Sequence, residues 1–275
     1  MKISLTPMAL APYRTKPTEL TYKNDIHTMM YRVKQIGYDG IEGGTPEGYT
    51  HKEYKELMDE IGLQVVTAGR LDYFKVQNGN FDNIIEECHT LGAKNTMIGS
   101  MNSMMLGNPY ELNKFIKALN NAGRILMDAG IHLSYHNHAV DFSKINGKRI
   151  IDAIIEGTDP ECVFFEPDTH WIQAGGGHVI TWLKKLEGRM YMVHFKDYGI
   201  DPYSDHSFLE STHKLFMEVG EGNLNWPGII AECLRQGLEW CSVEQDRTER
   251  PGYEAIEISI NNLRNRYGLR ADRRV

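Results

Sequence analysis

The chain has 275 residues, 30 basic and 37 acidic, a formal net charge of −7 and a hydrophobic share of 41%. That is the composition of a globular protein, and it excludes collagen-like, coiled-coil and low-complexity architectures. No apolar stretch approaches the ~18–20 residues of a membrane span, and the acidic balance argues against a protein that lives on phosphate backbones.

In chain order, residues 2–8 read as a strand, followed by a helix near 25–36 that stops at Gly37. A strand near 38 leads to a helix near 50–61, where Thr50 and Glu53 have the spacing of a capping box and Gly62 ends the element. A strand near 63, a helix near 80–91 with Gly92 behind it, and a strand near 95 come next. The helix near 109–129 stops at Gly130, before a strand near 131. Then follow a helix near 148–157, a strand at 162–168, a helix near 178–187 and a strand at 190–197. A helix near 226–236 with Gly237, a strand near 240 and a helix near 252–267 close the chain. A glycine just past a helix closes the last turn in the left-handed region without a Cβ clash. Eight alternating βα units over residues 1–275 predict an α/β fold, a single-domain (β/α)8 TIM barrel. The competing doubly wound sheet would carry a glycine-rich phosphate loop after the first strand, and Leu5-Thr6-Pro7-Met8 is not one. The N-terminus lacks the ~7–15 apolar residues of a signal peptide. Four scattered cysteines without a CxxC pair read as reduced thiols. The expected location is the cytoplasm.

Barrel chemistry sits where strands end. Those ends carry Glu42, Arg70, Ser100, His136 with His138, Asp168 with His170, His194 with Lys196, and Glu244 with Asp246. Period-two alternation puts Ser134, His136 and His138 on one face, as it does Phe164, Glu166 and Asp168; Met192, His194 and Lys196; and Ser242, Glu244 and Asp246. Buried carboxylates and imidazoles are costly unless they bind one another or a cation. Two of each converging on one point predict a divalent metal site. A lone strand histidine is more often a hydrogen-bonded structural residue, and it is the joint pattern on four strands that argues for a site. His27, His51, His89, His132 and His213 fall on helical or surface-type segments and are assigned no function. Gly175-Gly176-Gly177 reads as a mobile loop after the sixth strand, and the 13 methionines as core or loop filling.

The phrases Tyr135-His136-Asn137-His138, Asp168-Thr169-His170-Trp171, Val193-His194-Phe195-Lys196-Asp197 and Val219-Gly220-Glu221-Gly222 resemble the sugar phosphate isomerase/epimerase family. That family belongs to the xylose isomerase-like barrels, which also include nucleases of the endonuclease IV type. The resemblance spans essentially the whole chain and implies one divalent ion, most often Mn2+ but also Mg2+, Co2+ or Zn2+. Carried over by motif, its ligands are His136, Asp168, His194 and Glu244. Most family isomerases and epimerases have a ligand glutamate where His136 stands. The exchange lowers the ligand charge from −3 to −2, removes one of two facing carboxylates, and leaves His138 open as the alternative ligand.

Such a site supports proton abstraction beside a carbonyl through an enediolate. The first expectation is a metal-dependent isomerase or epimerase acting on a small, non-phosphorylated sugar or keto-sugar. Glu244, His138 and Lys196 then act as catalytic groups, with Asp141 a further candidate base. Glu42, His170, Trp171 and Lys196 bind substrate. The alternative is a lyase or dehydratase that expels a β-substituent from a keto-sugar, a 3-keto-glycoside or an inosose. Phosphodiester cleavage would need more ligands and a basic track, and a non-catalytic sugar-binding role would not need four intact ligands. The expected partner is a small sugar, with no nucleic acid or membrane, and a homo-oligomer is compatible with the sequence.

Overall fold

Eight parallel strands form one sheet in the computed structural model, which describes residues 1–13, 19–99, 107–200 and 214–270. They are Lys2–Leu5, Gly40–Glu42, Gln64–Thr67, Asn95–Gly99, His132–His136, Val163–Glu166, Met192–Phe195 and Trp240–Val243. The first six pair in chain order, and the eighth lies between the first and the seventh. Isolated bridges Phe165↔Met190 and Asp168↔His194 join the sixth strand to the seventh and close a (β/α)8 barrel. No helix among the described residues is long and apolar enough to cross a membrane.

Alternation along the strands produces two layers. Ile3, Leu5, Val65, Leu133, Tyr135, Val163, Phe165, Val193, Phe195 and Val243 belong to the main apolar core with the surrounding helices. Inside the barrel, Trp240, Met192 and Val66 form a separate apolar cluster. An added Cβ on Gly40 would lie 2.6 Å from the Gln64 carbonyl oxygen and 3.1 Å from the Trp240 ring, so only glycine fits beside that indole. Other interior positions are polar and linked: Ser134 Oγ donates to Asn95 Oδ1 at 2.6 Å, and Asn95 Nδ2 donates to Thr67 Oγ1 at 3.0 Å.

All eight expected strands form, but several are shorter than the sequence suggests. The first ends at Leu5 because the chain passes into a 3-10 segment at Pro7, whose nitrogen has no hydrogen for a ladder. The capping box of the helix His51–Ile61 is present, with Thr50 and Glu53 exchanging both bonds. Two short helices have no counterpart in the sequence reading, Tyr73–Asn78 and Thr169–Ala174. At six residues each they are too short to show a 3.6-residue period. After the seventh strand, Asp197–Ile200 pairs antiparallel with Lys214–Met217. The triple glycine, expected as a mobile loop, links the helix Thr169–Ala174 to the helix Val179–Lys185. A Cβ on Gly175 would lie 2.5 Å from the Phe142 ring, and one on Gly177 2.8 Å from Trp182 Nε1, so this link is packed against aromatic side chains.

Candidate metal centre

The fifth to eighth strands bring their last inward residues together. One ligand-capable atom each from His136, Asp168, His194 and Glu244 lies within 4.8 Å of the others, and all four residues are buried. His136, rather than His138, completes this group. His138 lies next to it, the two rings 4.9 Å apart and nearly perpendicular.

His194 is enclosed on both sides. Its Nδ1 is hydrogen-bonded to Glu244 Oε2 at 2.8 Å. Its Nε2 lies 2.8 Å from Glu42 Oε2 and 3.3 Å from Glu166 Oε1. Glu42, expected to hold substrate, is thus taken up by the ligand imidazole and by Thr6, whose hydroxyl donates to it at 2.9 Å. The register between the second and third strands shifts at Ile41/Glu42, and such an irregularity re-aims the next side chain. Glu166, on the inward face but given no role from sequence, forms part of a second cluster with Glu42 and His194.

Lys196 is 1% exposed, with its ammonium 2.8 Å from Asp246, 3.1 Å from Glu244 and 3.3 Å from Asp168. The rings of Trp171 and Phe216 flank it at 5.0 and 5.5 Å. Phe216 comes from the antiparallel hairpin after the seventh strand, where no sequence period pointed to the site. Trp171 stands against His138, ring centroids 5.4 Å apart. His170, like Trp171 and Lys196, is not among the residues lining the cavity, although all three are expected to bind substrate. His170 is buried, its Nδ1 hydrogen-bonded to the Asp197 carbonyl at 2.8 Å and its ring stacked on Phe216. Asp141 is likewise unavailable as a base, since it accepts from Tyr135 Oη and the His138 amide inside the protein. Ser100 and His213 lie outside the described residues.

The electrostatics follow from burial and crowding. Burial raises Asp168 to about 7 against the pull of Lys196, and burial together with Glu42 raises Glu166 to about 7. Burial works against the charge on Glu244, yet Lys196 and His194 hold it well below the usual carboxylate range. Burial also opposes charge on His194, but Glu42 and Glu244 outweigh it and hold the imidazole well above its ordinary value. Burial and the neighbouring His194 push His136 well down, while burial and Lys196 lower His138 to about 4. Both of these imidazoles are therefore neutral near pH 7.

These residues fit a divalent cation. His136 Nδ1 is buried without a hydrogen-bond partner, and Asp168 Oδ2 has no hydrogen bond of good geometry and only the Lys196 ammonium at 3.3 Å. A bare buried group such as the imidazole nitrogen costs about 1–3 kcal/mol, and a cation bound between the two would engage both. Two imidazoles and two carboxylates suit a borderline transition ion better than calcium. Above the ligands opens a cavity of about 930 Å³ whose wall includes Glu42, Arg70, His136, His138, Glu244 and Asp246. His51, assigned no function from sequence, also lies on that wall, hydrogen-bonded to Thr45 Oγ1 at 2.7 Å.

The Val219-Gly220-Glu221-Gly222 phrase is explained by Asp197. Its carboxylate accepts from the amides of Gly220 at 2.8 Å and Gly222 at 3.0 Å, and from Trp226 Nε1 at 2.6 Å. The motif ties the hairpin to the following helix and contributes no ligand to the cluster.

The chain is similar to known proteins over nearly its full length. It is 26% identical over 259 residues to an inosose dehydratase of Mesomycoplasma hyopneumoniae, covering 85% of this chain and 86% of that one. A sugar phosphate isomerase/epimerase from Parabacteroides distasonis superposes with a TM-score of 0.72 at 22% identity, covering 95% of this chain and 93% of the other. The IOLI protein, solved with a bound zinc atom, superposes with a TM-score of 0.72 at 17% identity over 98% of both chains. Residues 30–266 match the family described as xylose isomerase-like TIM barrel. The chain belongs to that family.

Proposed function

We propose that the protein is a divalent-metal-dependent lyase that removes water from a cyclic polyhydroxy ketone of the inosose type, with His136, Asp168, His194 and Glu244 as ligands. The observation that carries this reading is the state of Glu244. Its Oε2 is engaged by His194 Nδ1 at 2.8 Å and by Lys196 Nζ at 3.1 Å, which makes it a ligand and a poor base. With an imidazole at position 136, one of the two facing carboxylate bases is missing, and inversion of a stereocentre through such a pair is disfavoured. Elimination needs a base on one side only. The full-length relative that carries the name inosose dehydratase supports the same choice over the isomerase first expected.

A bound divalent cation supplies Lewis-acid polarisation of the substrate's carbonyl and neighbouring hydroxyl oxygens. The neutral imidazole of His138, on the cavity wall beside the ligands, takes the α-proton. The C–H electron pair becomes the C=C bond and the carbonyl pair moves onto oxygen. Its return expels the β-hydroxyl, which takes up a proton and leaves as water, so the products are an unsaturated ketone and water. Lys196 holds Glu244 ionised against burial, and its ammonium donates a hydrogen bond to the departing hydroxyl, which takes the proton that His138 removed. The Trp171 ring stands beside His138.

Incubating the metal-loaded protein with inososes in heavy water tests the reading. Loss of water with an unsaturated product is expected, and His138→Asn should lower the rate by about 10²–10⁴ while the bound metal is retained. A stereoisomer carrying deuterium at the α-carbon, with no water lost, would establish the isomerase instead.

A further inference from the structure

Among the described residues, Arg70 is a cation without a counter-charge. It follows Gly69, which has φ +64° and no room for a side chain, since a Cβ there would lie 2.8 Å from Ile84. This left-handed residue ends the third strand and aims the next side chain over the barrel mouth. A Cβ built on Gly99 would be 3.5 Å from His138 Cε1, 3.6 Å from His136 Cδ2 and 3.7 Å from Arg70 Nη2. The guanidinium and the two imidazoles therefore meet over one bare glycine. Lys75 donates to the Arg70 carbonyl, but among the described residues no carboxylate lies within ion-pair distance of the guanidinium.

The charge on the rest of the wall narrows what Arg70 serves. Among the described residues of that wall acidic side chains outnumber basic ones, Glu42, Glu47, Glu87, Glu244 and Asp246 against Arg70 and Lys75. Even with a divalent cation bound beside Glu244, these charges sum to no positive excess, so the wall gives a permanently anionic substrate no net attraction. A neutral polyhydroxy ketone needs none on entry, yet it acquires negative charge beside the ligands when its α-proton is removed. A guanidinium is planar, always charged, and presents paired donors that match two adjacent oxygens. An enediolate offers two such oxygens on one plane.

We infer that Arg70 is a catalytic residue, holding the vicinal oxygens of the enediolate through its guanidinium fork. The inference rests on the proposed elimination chemistry. When the proton leaves the α-carbon for His138, the carbonyl oxygen takes the displaced pair, and Arg70 meets that charge without itself gaining or losing a proton. An interaction that strengthens only as charge develops raises kcat and leaves KM almost unchanged.

The test compares wild type with Arg70→Lys and Arg70→Ala, each checked for bound metal and for an unchanged circular dichroism spectrum. With an inosose, kcat is expected to fall about 10²–10³-fold in both variants, with KM within about threefold. Lysine keeps the charge and loses the fork, so its failure to restore the rate separates geometry from net charge. Binding supplies a second readout. Threonohydroxamate, a planar mimic of the enediolate, should bind wild type about 100-fold more tightly than Arg70→Ala, while neutral threitol should bind both alike. A rise in KM at unchanged kcat, or equal hydroxamate affinity, would overturn the role of Arg70 while leaving the elimination reading intact. A wild-type protein that turns over no inosose and binds the hydroxamate no better than threitol would overturn both.

Discussion

His194 shows how one side chain can be held from both ends. Its Nδ1 side faces Glu244 among the four convergent residues, and its Nε2 side faces Glu42 and Glu166. A carboxylate on the far nitrogen of a ligand imidazole fixes the tautomer and makes the near nitrogen a better donor. Glu42→Gln keeps the shape and removes the charge, so it should raise the metal dissociation constant about 10–100-fold without unfolding the protein. Competition with a coloured chelator measures this, and an unchanged constant would remove Glu42 from that role. At this scale His136, Asp168, His194 and Glu244 were legible, because each is an inward residue at the end of a neighbouring strand. Which imidazole nitrogen meets which carboxylate was not, because it depends on the stagger between strands. Phe216 was illegible for another reason: a short hairpin after a strand carries no period that points to the ammonium it covers.

Among the elements, the helix His51–Ile61 was the most fully legible, from its Thr50–Glu53 start to its Gly62 stop. Both signals are local, so tertiary packing had little chance to override them. Thr50→Ala removes the acceptor for the Glu53 amide and should cost about 1 kcal/mol of stability in urea unfolding. The amide and hydroxyl of Thr50 also hold the exposed Glu53 carboxyl down to about 2 from 4.5. A depressed acid stabilises the fold above its unfolded pKa, so this contribution is complete above pH 4.5 and is lost as pH falls toward 2. Carbon-13 titration of Glu53 should give that low value in wild type and a shift toward 4.5 in Thr50→Ala. The short helix Thr169–Ala174 escaped the sequence reading although its cap was in plain view. Asp168 was read as a metal ligand, and it also accepts from the Trp171 amide at 2.8 Å. One carboxyl oxygen anchors the helix that carries Trp171, while the other faces the cluster.

For the molecule as a whole, the barrel is not equally stitched around its circumference. The fifth strand pairs with the sixth over four residues, whereas the sixth meets the seventh only through Phe165↔Met190 and Asp168↔His194. That second bridge joins two of the proposed ligands, so a cation bound there would span one of the two thin seams. The other lies between the third and fourth strands at Thr67↔Asn95 and Leu71↔Ile98. At a free-metal concentration about 100 times its dissociation constant, binding should add about 2.7 kcal/mol. In a chain of this size that raises Tm by about 5–10 °C. Calorimetry with and without metal measures the gain, and hydrogen exchange should show it concentrated in Val163–Glu166 and Met192–Phe195. Asp168→Asn should abolish both effects, and equal protection on every strand would contradict the seam. The ion is then a rivet as well as a reagent. Stripped protein should be nicked first by a protease at the sixth and seventh strands, so scarcity of metal would shorten the protein's lifetime as well as idle its chemistry.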